Sequence, residues 1–332
     1  MPAVCVGPNL YPSYILQLST FGEFQSHLTM LPNDPHPSIM SDLPDGHVLH
    51  IFSRLEKLQV EARKIFQSLS EHEHGVGNQW IVVLGLSPRN IEILDGESHD
   101  ILANIPYHFQ WEGSIGLIKI DPNSHLIAKS DLTSLIDEKN YLMGVPRNSR
   151  IWMGRATYIP DDTATKGKQP GNAFVPSSRR GTSMRLSKFW PTLVIEAGVP
   201  KSLPRLRLNV KDWFAISDGQ VRIVLLLSIT KSEITFEKWQ LAPIFAPHPL
   251  TREFIDELRQ QNPNIPPLIG QPASGQQAYS AQEVSVRSDQ VVGDPLVLSF
   301  QALHDRTPQQ EEGDIVIERE DLEEIRTWMS MF

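Results

Sequence analysis

The clearest pattern of apolar positions lies between residues 190 and 239. Residues 192–197 read TLVIEA, an apolar run that Glu196 alone interrupts, and residues 221–229 read VRIVLLLSI. Runs of this kind, without alternation, are typical of strands that are covered on both faces of a sheet. The segment 202–216 between them has apolar residues at three- and four-residue steps, which predicts a helix with one apolar face. Strand, helix and strand together predict the core of an α/β domain.

Apolar positions outside this segment predict smaller elements. We expect helices over 48–69, 131–143, 250–260 and 321–331, with Ser130 capping the second, a hairpin of 80–86 with 91–94, a strand pair within 110–120, and strands at 151–159, 234–239, 283–287 and 296–300. The fold class is therefore α/β, a mixed central sheet flanked by helices. Residues 1–145 form an α+β extension that packs on a core of residues 146–332.

Two stretches have no hydrophobic period. Residues 161–188 are rich in Gly, Pro, Ser and Arg and are interpreted as a long loop, and long loops in compact domains are often functional. Residues 262–277 are rich in Pro, Gln and Gly and are interpreted as an excursion from the core.

Composition excludes several classes of protein. The formal net charge of -9 argues against a general nucleic-acid coat and against a membrane-surface binder, which both need a basic surface. A single cysteine, Cys5, allows no disulfide within the chain and fits a reducing compartment. The first residues lack the pattern of a signal peptide, and the longest apolar run, 223–227, is far too short to span a bilayer. We expect an intracellular protein of the cytoplasm or nucleus.

Glu196 is the principal candidate for chemistry, because burying a carboxylate without a partner costs several kcal/mol, roughly 2–7 even for a neutral polar group. It is the only acid between Arg179 and Lys211, in a stretch that is otherwise basic. Such a stretch suits phosphate or carboxylate binding. The candidate ligand-binding residues are Arg179, Arg180, Arg185, Lys188, Trp190, Arg205 and Arg207.

Two interpretations of Glu196 remain open from the residues alone. In the first, it forms a structural ion pair with Arg205 or Arg207 across the strand–helix turn. In the second, it is a site carboxylate at the end of a central strand, where open α/β sheets place their ligands. Trp190 is a candidate to line the cleft beside it.

The same region resembles a known group of proteins. The segment WPTLVIEAGVPKSLPRLRLNVKDWFAISDGQVRIVLLLSI and the following ITFEKW resemble fungal proteins of unknown role, as do KGKQPGNAFVP upstream and DPLVLSFQALHDR and GDIVIEREDLEEIRTWM downstream. That group is similar to the PD-(D/E)XK nuclease-like superfamily. The resemblance implies a restriction-endonuclease-like core from about Arg150 to the C-terminus, with Glu196 on its central strand.

Departures from the superfamily's pattern weaken the expectation of a nuclease. The superfamily's pattern implies an upstream acid near Gly171 and a lysine at Gly198, and the resemblance to the fungal group implies a helical Asp at Asn209; none of these positions carries a charge here. Hard cations need several oxygen ligands, so one carboxylate with neutral neighbours is a poor magnesium site. The sequence leaves magnesium open but disfavours it. Lys201 or Lys211 could supply a relocated base, whereas Asp161 and Asp162 are weak replacements for the acid.

Three functions are consistent with these residues. The first is a degenerate PD-(D/E)XK-like domain that binds nucleic acid or another anionic ligand at Glu196 and the basic stretch 179–211. The second is a metal-independent enzyme of fungal specialised metabolism, acting on a small molecule or using a charged RNA as donor, with Glu196 as general acid or base in a pocket of Trp190 and arginines. The third is a scaffolding protein.

Overall fold

Two large β-sheets, a two-stranded sheet of Leu296–Leu298 with Ile315–Ile317 and seven α-helices lie in the part of the chain that the computed structural model describes, namely residues 39–71, 77–96, 100–160, 165–179, 189–261 and 275–330. These residues belong to one compact unit that begins at residue 39. No helix within these ranges is both long and apolar enough to cross a bilayer.

The elements are numbered along the chain. The strands are β1 (Val48–Ile51), β2 (Trp80–Leu84), β3 (Tyr107–Glu112), β4 (Ile115–Ile120), β5 (Arg150–Trp152), β6 (Lys166–Lys168), β7 (Asn172–Pro176), β8 (Leu193–Gly198), β9 (Ile223–Ile229), β10 (Glu233–Leu241), β11 (Ala278–Arg287), β12 (Val291–Val292), β13 (Leu296–Leu298) and β14 (Ile315–Ile317). The helices are α1 (Leu55–Glu71), α2 (Pro88–Asp95), α3 (Asn123–Leu142), α4 (Leu203–Ile216), α5 (Arg252–Gln260), α6 (Phe300–His304) and α7 (Arg319–Ser330).

The larger sheet has seven strands in the order β12-β11-β10-β9-β8-β7-β5. Its only parallel pair is β8 with β9, which α4 connects, and its other pairs are antiparallel. Every residue of β8 and β9 is buried, as the unbroken apolar pattern predicts. The α/β class with mixed sheets and flanking helices is confirmed, while the restriction-endonuclease-like identity of the core stays a prediction.

The smaller sheet has five strands in the order β1-β2-β4-β3-β6. One of its faces packs on the apolar stripe of α1, and the other lies against the layer that contains α4. Leu117 and Trp80 from this second face share a core with Leu206 of α4 and Val194 of β8. The apolar layer that contains α4 therefore lies between the two sheets, and side chains from both sheets pack against it.

Several predicted elements are confirmed, namely the strand pair β3–β4, the helix α4, the strands β9, β10, β11 and β13, and the helices α5 and α7. The long helix over 48–69 is wrong in its first part, because residues 48–51 pair in parallel with β2 and the helix begins only at Leu55.

The predicted second strand of the hairpin, 91–94, is wrong. Residues 88–95 form α2, because the Ser87 side chain accepts from the backbone N–H of Asn90 and Pro88 occupies the first turn. The Ser-Pro pair is thus a helix start and not a hairpin turn.

The helix predicted over 131–143 begins earlier than expected, at Asn123 after Pro122, and the prediction of Ser130 as its cap is wrong because Ser130 lies inside the helix. The strand predicted at 151–159 is short, covering 150–152, and Tyr158 forms an isolated bridge to Lys168.

The interpretation of 161–188 as one long loop is wrong where β6 and β7 lie, because β6 completes the smaller sheet and β7 pairs with β8. Residues 161–164 and 180–188 lie outside the described part of the chain.

The division at residue 145 stays a prediction. Helix α3, which precedes that boundary, packs on the larger sheet through Ala128, Leu132 and Ile136, whereas β6, which follows it, belongs to the smaller sheet. Residues 262–274 of the predicted excursion lie outside the described ranges.

Candidate functional site

Glu196 lies near the end of β8 and points into the layer between the two sheets. Side chains alternate along a strand, so Glu196 shares a face with Val194, which packs against α4 and the smaller sheet. Only 2% of Glu196 is exposed. The prediction that this acid lies in a buried strand is confirmed, and its role depends on what contacts it.

Both carboxylate oxygens of Glu196 accept hydrogen bonds from buried donors. The Nζ of Lys119 donates to Oε2 at 3.1 Å, and the indole Nε1 of Trp213 donates to Oε1 at 2.9 Å. The ion pair is therefore made with Lys119 of β4 and not with Arg205 or Arg207. Lys119 is directed here because it lies opposite Trp80 in the register of β4 with β2, on the sheet face that meets α4.

Lys119 continues the network toward Asp121. Its Nζ also donates to the main-chain oxygen of Ala197 at 2.9 Å and lies 3.7 Å from Oδ1 of Asp121. The other oxygen of Asp121 is 2.5 Å from Nζ of Lys129 on α3 and 2.8 Å from Nε2 of His108 on β3. Lys119 and Asp121 thus connect β8 with Lys129 of α3 and His108 of β3 through buried polar contacts.

A third lysine lies on the other side of Trp213. The Nζ of Lys168 donates to Oδ2 of Asp212 at 2.6 Å and to the main-chain oxygen of Asn209 at 3.0 Å. It also lies 4.7 Å from the centre of the Trp213 ring, a cation–π contact. Six residues form what is called the charge cluster, namely Lys119, Asp121, Lys129, Lys168, Glu196 and Asp212.

Electrostatics favour the charged form of the central pair. Burial by itself raises the pKa of Glu196, but the ammonium groups of Lys119 and Lys168 bring the pKa below its ordinary value. Burial likewise opposes the charge of Lys119, yet Asp121 and Glu196 raise its pKa above the ordinary value. Glu196 is therefore an ionised carboxylate at neutral pH, which is the opposite of what a general acid requires.

Two histidines beside the cluster are neutral at pH 7. Burial, with help from Lys129, lowers the pKa of His108 to about 4. Burial lowers the pKa of His125 to about 3. Neither side chain adds positive charge to the cluster, so its three lysines face three carboxylates.

The cavity next to Glu196 is small. Its volume of about 10 Å³ is close to what one water molecule needs. Neither Trp190 nor any arginine contributes to its wall, which is formed by Trp80, His108, Phe109, Gln110, Leu117, Lys119, Gln169, Glu196 and Asn209. The cavity has no room for a substrate beside the carboxylate.

The predicted ligand-binding residues that the structure describes are not gathered around Glu196. The Nε of Arg179 donates to Asp305 at 3.0 Å, and its Nη1 donates to the main-chain oxygen of Trp190 at 3.1 Å. The Trp190 ring stacks on Tyr158, with ring centres 5.4 Å apart. Arg179 and Trp190 therefore make internal contacts.

The two arginines of α4 also have internal partners. Arg205 is buried and donates to the main-chain oxygen of Ser41 at 3.0 Å, and burial lowers its pKa to about 10. Arg207 is half-exposed and forms a 2.5 Å contact with the buried Glu237. Lys201 and Lys211, the predicted relocated bases, point to solvent instead of toward Glu196. Arg180, Arg185 and Lys188 lie outside the described part of the chain.

Two of the three positions at which the nuclease pattern predicts charged residues, Gly171 and Gly198, have no space for a side chain. A Cβ atom at Gly171 would lie 2.4 Å from the main-chain oxygen of Ile195, and one at Gly198 would lie 2.4 Å from Leu206. Asn209 is buried, with its Oδ1 unpartnered. Within the described ranges, no three Asp, Glu, His or Cys side chains are arranged to hold a metal ion. The packing around Gly171 and Gly198 therefore favours glycine at both positions.

Sequence reasoning missed Lys119, Asp121, His108 and Lys129. A signal for the first two was present, because residues 115–121 read IGLIKID, an apolar strand broken by a lysine and followed by an aspartate. This is the same anomaly that identified Glu196, with the opposite charge. Charges of opposite sign in two buried strands are therefore candidates to form an ion pair.

No protein-family model and no curated protein matches this chain.

Proposed function

We propose that the chain contains a degenerate PD-(D/E)XK-like core that binds nucleic acid without cutting it. The observation that carries the proposal is the enclosure of Glu196, which accepts from Lys119 and Trp213 beside a cavity no larger than a water molecule. A carboxylate held in this way can neither gather a metal with its neighbours nor reach a phosphodiester. The strand–helix–strand unit β8–α4–β9 supports the nuclease-like ancestry of the core.

The surface proposed for binding is the outer side of α4. Arg207 and Lys211 are exposed on it, and Lys201 is exposed on the 3₁₀ turn, Pro200–Ser202, that precedes the helix; these three residues are called the basic face. The only acid of the helix, Asp212, is held by Lys168. Arg207 and Lys211 lie about 6 Å apart along the axis of α4, at the rise of an α-helix. Arg207 is paired with Glu237 of β10, whereas Lys201 and Lys211 form no ion pair with another described residue. A local patch of this kind can hold phosphates although the net charge is -9.

The enzyme hypothesis receives no support from the geometry. It needs a substrate pocket of Trp190 and arginines and a Glu196 with a raised pKa, whereas the cavity is lined by other residues and the pKa of Glu196 is lowered. We therefore propose nucleic-acid binding, and not catalysis, as the function.

The test is fluorescence anisotropy with a labelled DNA duplex, and a single-stranded RNA of the same length, over a series of salt concentrations. The double variant Lys201→Ala/Lys211→Ala should weaken binding and lower the slope of log K against log salt by about two, one for each lost phosphate contact. The matched control is Lys57→Ala/Lys64→Ala, which removes the same charge from two exposed positions of α1.

Three results would contradict the proposal. One is no binding by the unaltered chain at low salt, and another is equal loss in the two double variants. The third is cleavage of either nucleic acid with Mg²⁺ or Mn²⁺ that disappears in Glu196→Gln.

A further inference from the structure

Strand β1 forms one edge of the smaller sheet, and no strand within the described ranges pairs with its outer side. The N–H of Phe52, just after β1, donates to the main-chain oxygen of Leu84 in β2 at 2.9 Å. Backbone groups alternate between the two sides of a strand, so His50 faces β2 as Phe52 does. The N–H and C=O groups of Leu49 and Ile51 therefore point away from the sheet.

The same two residues expose large apolar side chains. Leu49 is 42% exposed and Ile51 is 66% exposed. They lie beside Val82 and Leu84 in the register of β1 with β2, but only the β2 residues pack in the apolar layer that contains α4. Proteins usually protect an open sheet edge with a charged residue, a proline or a bulge. Residues 48–51 read VLHI and pair with β2 in an unbroken register, so β1 has none of these protections.

The outer side of β1 is complementary to itself. Two copies of β1 can run antiparallel with Leu49 of each copy opposite Ile51 of the other. The outward backbone groups of the two residues then face each other, and each facing pair exchanges two hydrogen bonds, which gives four in all. The exposed side chains of Leu49 and Ile51 also meet on one face of the joined sheet, where apolar pairs across strands stabilise the pairing.

Charges beside β1 favour the same arrangement. Asp45 precedes the strand, Arg54 follows it, and both residues are exposed. Antiparallel pairing brings Asp45 of each copy to the end that carries Arg54 of the other copy, so opposite charges approach each other at both ends.

We propose that β1 is a dimerisation edge, to which a second copy of this chain adds its own β1. The two smaller sheets then form one sheet of ten strands, five from each copy. Strand β1 lies outside the segment that resembles a nuclease, and the proposal does not rest on nucleic-acid binding by α4. Because β1 has only four residues, its pairing buries less than the roughly 1,200 Å² of a standard interface, and the dimer should be weak and reversible.

The first test is sedimentation equilibrium at chain concentrations up to about 1 mM, which detects even a weak dimer. The average mass of the unaltered chain should rise from that of one chain toward that of two. Ile51→Lys should abolish the rise, because a charge replaces the apolar side chain in both Leu49–Ile51 pairs. The matched control is Leu142→Lys, which places the same charge at an apolar residue of α3 that is 73% exposed and should leave the rise unchanged. Circular dichroism checks that each variant is folded, and Ile51→Ser replaces Ile51→Lys if the latter is not.

The second test fixes the register. His50 and its equivalent in the second copy form the central pair, with Cα atoms about 4.5 Å apart, a distance that a disulfide spans. In a Cys5→Ser background, His50→Cys should therefore give a disulfide-linked dimer under mild oxidation. Ile51→Cys is the control, because its Cα lies more than about 7 Å from its equivalent in this register, too far for a disulfide.

Three results would overturn the proposal. One is an average mass that stays at that of a single chain throughout the concentration series. Another is a rise in mass that Ile51→Lys and Leu142→Lys reduce equally or that neither reduces. The third is a disulfide that forms as readily in Ile51→Cys as in His50→Cys.

Discussion

The inner and outer sides of α4 carry charges of two different kinds. On the inner side, Trp213 and Asp212 hold Glu196 and Lys168 in the charge cluster, away from solvent. On the outer side, Lys211 points into water and forms no ion pair with another described residue. One residue separates Lys211 from Trp213, so position in the sequence says little about which role a charge has. The groups packed against a charge decide whether it serves stability or recognition.

The difference has a large energetic consequence. An exposed ion pair contributes about 0–1 kcal/mol, whereas removing one member of a buried pair costs about 3–5 kcal/mol because it leaves the other charge uncompensated. Changes on the inner side of α4 should therefore act on folding, and changes on the outer side should act on binding.

The largest effect is expected for Glu196→Gln. The amide cannot neutralise Lys119, and it places a donor where two donors already converge. We expect the free energy of unfolding to fall by about 3–5 kcal/mol in urea titrations at neutral pH. The control is Glu92→Gln at an exposed position of α2, with an expected change within about 0.5 kcal/mol. A Glu196→Gln variant as stable as the unaltered chain would show that the pair is not a structural centre.

The second effect is a loss of stability in acid. The pKa values of His108, His125 and His304 are lowered from 6.5 to about 4, 3 and 4, mainly by burial. These histidines take up protons in the unfolded chain below pH 6.5 while the folded chain resists protonation. The free energy of unfolding should therefore fall as the pH falls from about 6.5 toward 4. The lowered pKa values of Glu196 and Asp121 add a further loss at still lower pH.

His125→Leu tests this explanation, since the Nδ1 atom of His125 has no hydrogen-bond partner. The variant should lose less stability between about pH 7 and pH 4.5 than the unaltered chain, in paired urea titrations. Lys119 cannot produce the same trend, because burial lowers its pKa but Asp121 and Glu196 raise it above the ordinary value. An unchanged slope would assign the acid sensitivity to other groups.

A third and smaller effect is expected at two crowded glycines, Gly171 and Gly198. Gly171→Ala should cost about 1–3 kcal/mol, because the added methyl group meets the main-chain oxygen of Ile195 and backbone cannot move aside cheaply. Gly198→Ala should cost less, because its nearest neighbour is the flexible end of Leu206. Gly313→Ala is the control, with nothing near its Cβ position. Equal stability of all three variants in urea would contradict the packing argument.

Apolar pattern alone was enough to predict the central unit β8–α4–β9, because strands buried on both faces and a one-sided helix have distinct periods. It failed at residues 48–51 and 91–94, where short segments fit a helix and a strand equally well and tertiary pairing or capping decides. The pattern also identified Glu196 but not its partner. Lys119 lies 77 residues away, and only the strand order of the smaller sheet brings the two together.

A last effect distinguishes two neighbouring cations of the basic face, Arg207 and Lys211, which lie one helical turn apart. Arg207 covers the buried carboxylate of Glu237, which otherwise accepts only from the Trp239 indole among the described residues. Arg207→Ala should therefore cost about 1–3 kcal/mol of unfolding free energy, and Lys211→Ala should stay within about 0.5 kcal/mol. Urea titrations of the two variants, with Arg207→Ala/Glu237→Gln as the rescue, measure the difference. Should Arg207→Ala be as stable as Lys211→Ala, the contact with Glu237 contributes nothing, and Arg207 belongs wholly to the binding surface.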